Sequence, residues 1–190
     1  ISSYFVPTKD GVNTLVELAE AGIDIKILTN SFDATDVTAV HSGYSQWRPS
    51  LLRAGVKIYE LKSTASEEKR ENKLWKARSQ SSTSLHAKTF AVDDYQVFIG
   101  SYNVDPRSAN INTEIGVIIN DEELAKQLHS ALSDELLGQA YEVKLLENGS
   151  LQWHTVEAGE KVVYDSEPRV DISDHVWLAI MSWLPIDWLL

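Results

Sequence analysis

Between positions 86 and 114 the chain carries His86, Lys88, Asp93, Gly100, Ser101, Asn103 and Glu114. They are spaced as H-x-K-x4-D-x6-G-S-x-N, with the glutamate eleven residues further on. Side chains alternate faces along an extended segment, so His86 and Lys88 point the same way. Phe90 and Val92 continue that parity, while Leu85, Ala87, Thr89 and Ala91 take the other face. Asp93-Asp94-Tyr95-Gln96 reads as a turn and Val97-Phe98-Ile99 as a returning strand. That strand ends at Gly100-Ser101-Tyr102-Asn103, beside the start of the first. The competing reading is an ordinary sheet with a buried His and Lys and a Gly-Ser turn. Seven agreeing positions, and the rarity of buried, unpaired lysine, count against it.

The residue types at that corner suit one chemistry. A neutral imidazole is a nucleophile near pH 7. Lys88 supplies a cation, Gly100 allows close backbone approach, and Ser101 and Asn103 offer neutral donors. Lys88, Ser101 and Asn103 can hold the non-bridging oxygens of a phosphodiester while His86 attacks phosphorus. Glu114 can accept from the other ring nitrogen and fix the tautomer. Asp93, at the turn and opposite His86 by parity, reads as structural. Arg107 and Ser108 can either reach the phosphate region or cap their turn.

Composition narrows the partners. A net charge of −11 disfavours non-specific nucleic-acid binding, which needs phosphate neutralisation, though it leaves room for a local basic groove. The absence of cysteine excludes disulfide, zinc-thiolate and cysteine-nucleophile chemistry and fits a reducing compartment. No run is apolar for long enough to be a membrane span, and no signal peptide is evident. The chain opens at Ile1 on what reads as a strand, so a segment upstream is expected.

The remaining chain reads as α/β. Ile1 to Pro7 is expected as a short strand and Val12 to Ala19 as a helix ended by Gly22. Ile23 to Thr29 then reads as a strand, giving a β-α-β unit with a parallel pair. A second helix is expected over about 36–54, closed by Gly55, with a strand over Val56–Leu61. Lys62 to Ser84 is a polar, charged stretch read as a surface loop or a lid feeding into His86, with Trp75 suited to a headgroup contact. Thr113–Ile119 is expected as a strand carrying Glu114, and 121–133 as a helix with His129 on its surface. Strands over 141–146, 151–156 and 161–164 follow, with hairpin turns at Asn148-Gly149 and Ala158-Gly159. His154 reads as structural. The last fifteen residues are strongly apolar, with three Trp in twelve positions. They suit either a closing helix or a shallow interfacial anchor.

The complete His-Lys-Asp pattern resembles the HKD motif of the phospholipase D superfamily. Tyr4-Phe5-Val6-Pro7, Leu28-Thr29-Asn30-Ser31, Phe98 through Ser108, Asn112-Thr113-Glu114 and the closing Trp183 through Leu190 resemble its cardiolipin-synthase-like bacterial branch, C-terminal half. The resemblance implies a mixed, largely parallel β-sheet flanked by helices on both faces, with a single HKD repeat. Residues 1–137 would form the catalytic half, and 138–190 hairpin strands and a closing helix packed on it. It implies a phosphatidyltransferase working through a phosphohistidine, with no metal and no cofactor. His86, Lys88, Asn103 and Glu114 would be catalytic, and Lys88, Ser101 and Asn103 would bind the substrate phosphate. Asp93 and Gly100 would be structural.

The implied partners are a phospholipid of the phosphatidylglycerol or phosphatidylethanolamine class, a membrane surface, and a second HKD motif. That motif would come from a missing N-terminal half or a homodimer mate, since His41, His129, His154 and His175 lack the Lys and Asp spacing. The implied location is the bacterial cytoplasm, peripheral to the inner membrane. Two alternatives stand beside this: a phospholipase D or phosphodiesterase/nuclease acting as a homodimer, and a non-catalytic headgroup- or partner-binding fragment.

Overall fold

The computed structural model describes residues 1–35, 37–63, 85–132 and 134–170. The elements run α1 (Lys9–Glu20), β1 (Lys26–Asn30), a 3-10 turn (Phe32–Ala34), α2 (Thr38–Ser45), α3 (Arg48–Arg53) and β2 (Lys57–Leu61). Then come β3 (Thr89–Val92), β4 (Gln96–Gly100), α4 (Pro106–Asn110), β5 (Gly116–Asn120) and α5 (Glu122–Ala131). A 3-10 turn (Asp134–Gly138) leads to β6 (Ala140–Leu145), β7 (Leu151–Glu157) and β8 (Glu160–Tyr164). The expected lid, including Trp75, and the Trp-rich C-terminus lie outside the described residues.

The fold is α/β. A mixed sheet has the order β1-β2-β6-β7-β8, and a smaller antiparallel sheet the order β3-β4-β5. The sheet is mixed as expected, but among the described strands its parallel share is the β1–β2 pair alone. The reason is local: β6, β7 and β8 are joined by tight hairpins, which can only make antiparallel ladders. Ala158 (φ 50°) and Gly159 (φ 83°) both adopt left-handed backbone at the second hairpin, as a primed turn demands. Strands expected as a unit packed on the first 137 residues instead extend the same sheet. Ile58 pairs with Val143 and Leu61 with Ala140.

Strand alternation explains the layers. One sheet face buries Ile27, Ile58, Val143 and Trp153 together with Val12, Tyr44 and Leu51 from the helices. The other buries Leu28, Tyr59 and Ala140 against Leu85, Leu132 and Leu136. Helical elements therefore cover both faces, and Leu85 is anchored one residue before His86.

Three expectations shift, each for a physical reason. β1 starts at Lys26 rather than Ile23, because Ile23 serves the end of α1. Gly22 (φ 93°) donates to Ala19 O (2.9 Å) and Ile23 N to Leu18 O (3.1 Å), the paired bonds of a Schellman cap. The long second helix is broken into α2 and α3. Pro49 has no N–H to donate to the turn before it but suits the start of α3. Ile1–Pro7 bends at Ser3 and Tyr4 and makes isolated bridges, Ser2 to Lys88 and Phe5 to Val104, instead of a strand. Ser2 N also donates to Leu28 O (3.0 Å), Thr89 N to Ile1 O (3.0 Å) and Val6 N to Val104 O (2.7 Å). The segment thus stitches β1 to the β3 side of the molecule and carries Ser3 into the space between.

Candidate active site

The hairpin forms where the spacing places it. β3 and β4 pair with Thr89 opposite Ile99 and Val92 opposite Gln96, and Asp93 takes the turn with φ 51°. Asp93 is exposed, and its carbonyl accepts a bond from His129 Nε2 on α5 at 2.6 Å. His129, expected at the surface or in packing, therefore fixes the hairpin turn to the helix.

At the open end, Gly100 N donates to Lys88 O (3.1 Å) and Ser101 N to Ile115 O (2.8 Å). Gly100 faces Gly116 across the β4–β5 ladder. A Cβ on Gly100 would lie 2.6 Å from Ile115 O and 2.7 Å from the Phe98 ring, so only glycine fits. Because the nearest obstacle is backbone, Gly100→Ala is expected to cost about 1–3 kcal/mol, the usual penalty of overpacking. Urea unfolding checks this, and an unchanged midpoint would contradict it.

The side chains then converge. Lys88 Nζ donates to Ser3 Oγ (3.1 Å) and to His86 O (3.4 Å). Ser3 Oγ donates to Asn103 Oδ1 (3.0 Å). Lys88 and Asn103, fifteen residues apart in sequence, thus share one hydroxyl from the N-terminal segment. His86 is exposed, and among the described residues its ring has no hydrogen-bond partner. It is not sealed in apolar packing.

Glu114 lies just before β5, and its carboxylate accepts from Ser101 Oγ and from Asn112 Nδ2 (3.3 Å). Hydrogen bonds from Ser101, then Ser108 and Asn112, hold this half-buried carboxyl below its usual range, with a smaller contribution from the Lys88 charge. Among the described residues no bond joins Glu114 to His86. In this arrangement Glu114 orients Ser101, and Ser101 Oγ in turn accepts from Ile115 N (3.0 Å). Ser108 is buried. Its N–H donates to Asp105 Oδ1 (2.6 Å), so Asp105 rather than Ser108 caps α4, and Ser108 Oγ accepts from Asn103 N (3.4 Å). Arg107 is exposed and accepts two backbone bonds at its carbonyl.

Ser3 escaped sequence reasoning, and Asn30 entered it only within the phrase Leu28-Thr29-Asn30-Ser31, without a role. Asn30 ends β1 and is 3% exposed. Its amide accepts from Leu85 N (2.9 Å) and donates to Leu85 O (3.3 Å) and Ser3 O (3.2 Å). The available signal was an asparagine closing the strand Lys26-Ile27-Leu28-Thr29-Asn30, next to its apolar pair Ile27-Leu28. Among the described residues no three of His, Asp and Glu gather as a metal site would need.

Comparison with known proteins bears on the family. A family model described as cardiolipin synthase, PLD-like domain, matches residues 1–136. The chain is 41% identical over its whole length to cardiolipin synthase C of Escherichia coli K12, and spans 40% of that protein's length. It is 31% identical over 133 residues to cardiolipin synthase 2 of Bacillus anthracis, covering 70% of this chain and 22% of that protein. Among solved structures it resembles Nuc from Salmonella typhimurium, a phospholipase D family member, with a TM-score of 0.51 and 19% identity. That likeness covers 75% of this chain and 78% of Nuc, and it concerns the fold alone.

Proposed function

The chain belongs to the cardiolipin synthase, PLD-like domain family, and from that premise we propose that it supplies one half of a phosphatidyltransferase site of the cardiolipin synthase type. The observation that carries this is the convergence of Lys88 and Asn103 on Ser3 beside an exposed His86. The substrate class is a phospholipid such as phosphatidylglycerol or phosphatidylethanolamine, and the setting is the cytoplasmic face of a bacterial inner membrane, where such lipids lie.

In the first step an imidazole lone pair forms a bond to phosphorus, and the bond from phosphorus to the leaving alcohol oxygen breaks. A second imidazole gives its proton to that oxygen. In the second step the same imidazole takes the proton of an incoming alcohol, whose oxygen attacks phosphorus while the P–N bond breaks. His86 fills one of these two roles, and a histidine from a second HKD motif fills the other. Lys88 and Asn103 stabilise charge on the non-bridging oxygens throughout, and Ser101, whose hydroxyl proton goes to Glu114, adds a third donor only when that hydroxyl turns to the phosphate.

The test is a chimera in which this chain replaces the matching segment of E. coli cardiolipin synthase C, supplied with phosphatidylglycerol or a mixed phospholipid pool. Cardiolipin is the expected product. A folded chimera that makes none overturns the proposal.

One observation favours a homodimer reading as well, in which the chain is a phospholipase D or phosphodiesterase and two copies each bring His86 to one phosphate. Beyond Lys88 on the same strand face, Phe90 stacks on Phe98 with centroids 4.8 Å apart. Phe90 is 50%, Val92 48% and Ile118 69% exposed. An apolar strip of that kind beside a half-site suits a symmetric partner. Sedimentation of this chain as monomer only would remove that version.

A further inference from the structure

We infer that Ser3 is a positioning residue that aims the two phosphate donors, Lys88 and Asn103, and that Asn30 holds Ser3 and the segment leading to His86 in place. This deepens the proposed function and rests on its assignment of Lys88 and Asn103 to the substrate phosphate.

The argument is one of donor and acceptor supply. An ammonium can only donate, so Ser3 Oγ accepts from Lys88 Nζ at 3.1 Å. The hydroxyl has one proton, and it goes to Asn103 Oδ1 at 3.0 Å. With its oxygen turned to Ser3, the Asn103 amide presents its NH2 group away from Ser3. Among the described residues that group has no other partner. The orientation is the one a phosphate oxygen requires, because the opposite flip would meet it with a carbonyl oxygen. Ser3 thereby decides which end of Asn103 faces substrate.

Ser3 is itself held without freedom to drift. It is 2% exposed, and its carbonyl accepts from Asn30 Nδ2 at 3.2 Å. The same Asn30 amide pairs with both backbone groups of Leu85, as a neighbouring strand would. Leu85 is buried, and the next residue is His86. One side chain on β1 therefore ties the segment before His86 to the segment bearing Ser3. Only a carboxamide offers a donor and an acceptor in that geometry. Asn30→Asp keeps the shape but sets an oxygen against Leu85 O or Ser3 O.

The experiment is a titration of this chain with inorganic phosphate, followed by NMR at the Asn103 side-chain amide, for wild type, Ser3→Ala and Asn30→Asp. Ser3→Cys is the near-isosteric substitute should the alanine variant not fold. A thiol is a weak donor and acceptor, and the chain holds no other cysteine. The wild type is expected to bind, with the Asn103 NH2 resonances moving. Ser3→Ala, or Ser3→Cys, is expected to bind roughly tenfold more weakly, the loss of a charge-assisted arrangement, with the Asn103 response gone while the rest of the spectrum stays folded. A merely structural role for Ser3 would change the unfolding midpoint and leave the Asn103 response in the folded protein intact. Equal affinity and an equal Asn103 response in the Ser3 variants overturn the inference. A wild-type chain that binds no phosphate overturns it too, whereas the phosphatidyltransferase reading falls only with an inactive chimera.

Discussion

His86→Ala in the chimera is expected to abolish cardiolipin formation, with a loss of about 10²–10⁴-fold if His86 is the acid–base partner and at the upper end or beyond if it is the nucleophile. Among the described residues nothing else at the corner can replace an imidazole. Lys88 lies beside it but is held by Ser3 and by the His86 carbonyl, and Ser101 is engaged with Glu114. Lys88→Ala is expected to differ in kind. Removing one donor to the non-bridging oxygens costs about 10²–10³-fold in rate and weakens phosphate binding as well. The two roles open to His86 separate in a rapid-quench experiment with phosphorus-labelled lipid. As nucleophile, His86 itself carries the acid-labile label, and the alanine variant carries none. As acid–base partner, the label appears on the histidine of the other motif. Wild-type turnover in His86→Ala would sink the assignment.

Legibility in the sequence followed the range of the interaction. The β3–β4 hairpin, its Asp93 turn and its Gly100 closure lie within a short stretch, so alternation and turn chemistry placed them. The β6–β8 hairpins were read in the same way from Asn148-Gly149 and Ala158-Gly159. What failed was set at longer range or by a competing local rule. The Ile23 side chain fits a strand pattern, but its N–H closes a helix cap. The pairing of β2 with β6 joins residues far apart, which no periodicity records. Ser3 and Asn103 stand 100 residues apart and Asn30 and Leu85 55 apart, so the supports of the site left no spacing to find. Glu114 was placed near the site by its motif position. Its actual hydrogen-bond partners depend on where the chain ahead of β5 bends.

A buried charge cluster gives the largest expected effect on stability. Arg48 and Glu60 are buried on the sheet face covered by α2 and α3, with Arg48 Nε 2.8 Å from Glu60 Oε1. Glu60 also accepts from Tyr44 OH and Trp153 Nε1, both at 2.9 Å. Burial, reinforced by the Glu60 charge, holds the Tyr44 phenol well above its usual value, so it remains a donor. The other end of the guanidinium grips Glu167 twice, at 3.1 and 2.6 Å, and this fork ties residues beyond β8 back to α3. Arg48→Ala would leave two carboxylates without their cation, at a cost of about 3–5 kcal/mol. That is a large share of the roughly 5–15 kcal/mol that holds a domain folded. Arg48→Lys is expected to recover only part of it, since a single ammonium cannot reproduce the fork. The pH dependence has a definite sign. Burial alone would raise the Glu167 carboxyl, but Arg48 and the His41 hydrogen bond outweigh it and hold it far below the ordinary carboxylate range. A depressed carboxyl contributes stability that is complete above its unfolded value and is lost as the pH falls from there toward the folded one. The stability difference between wild type and Glu167→Gln, measured by urea unfolding, should therefore be full at neutral pH and shrink steadily below the ordinary carboxylate range. An Arg48→Ala protein with an unchanged midpoint, or a Glu167→Gln difference that does not respond to acid, would show that the cluster is not what fastens this end of the chain.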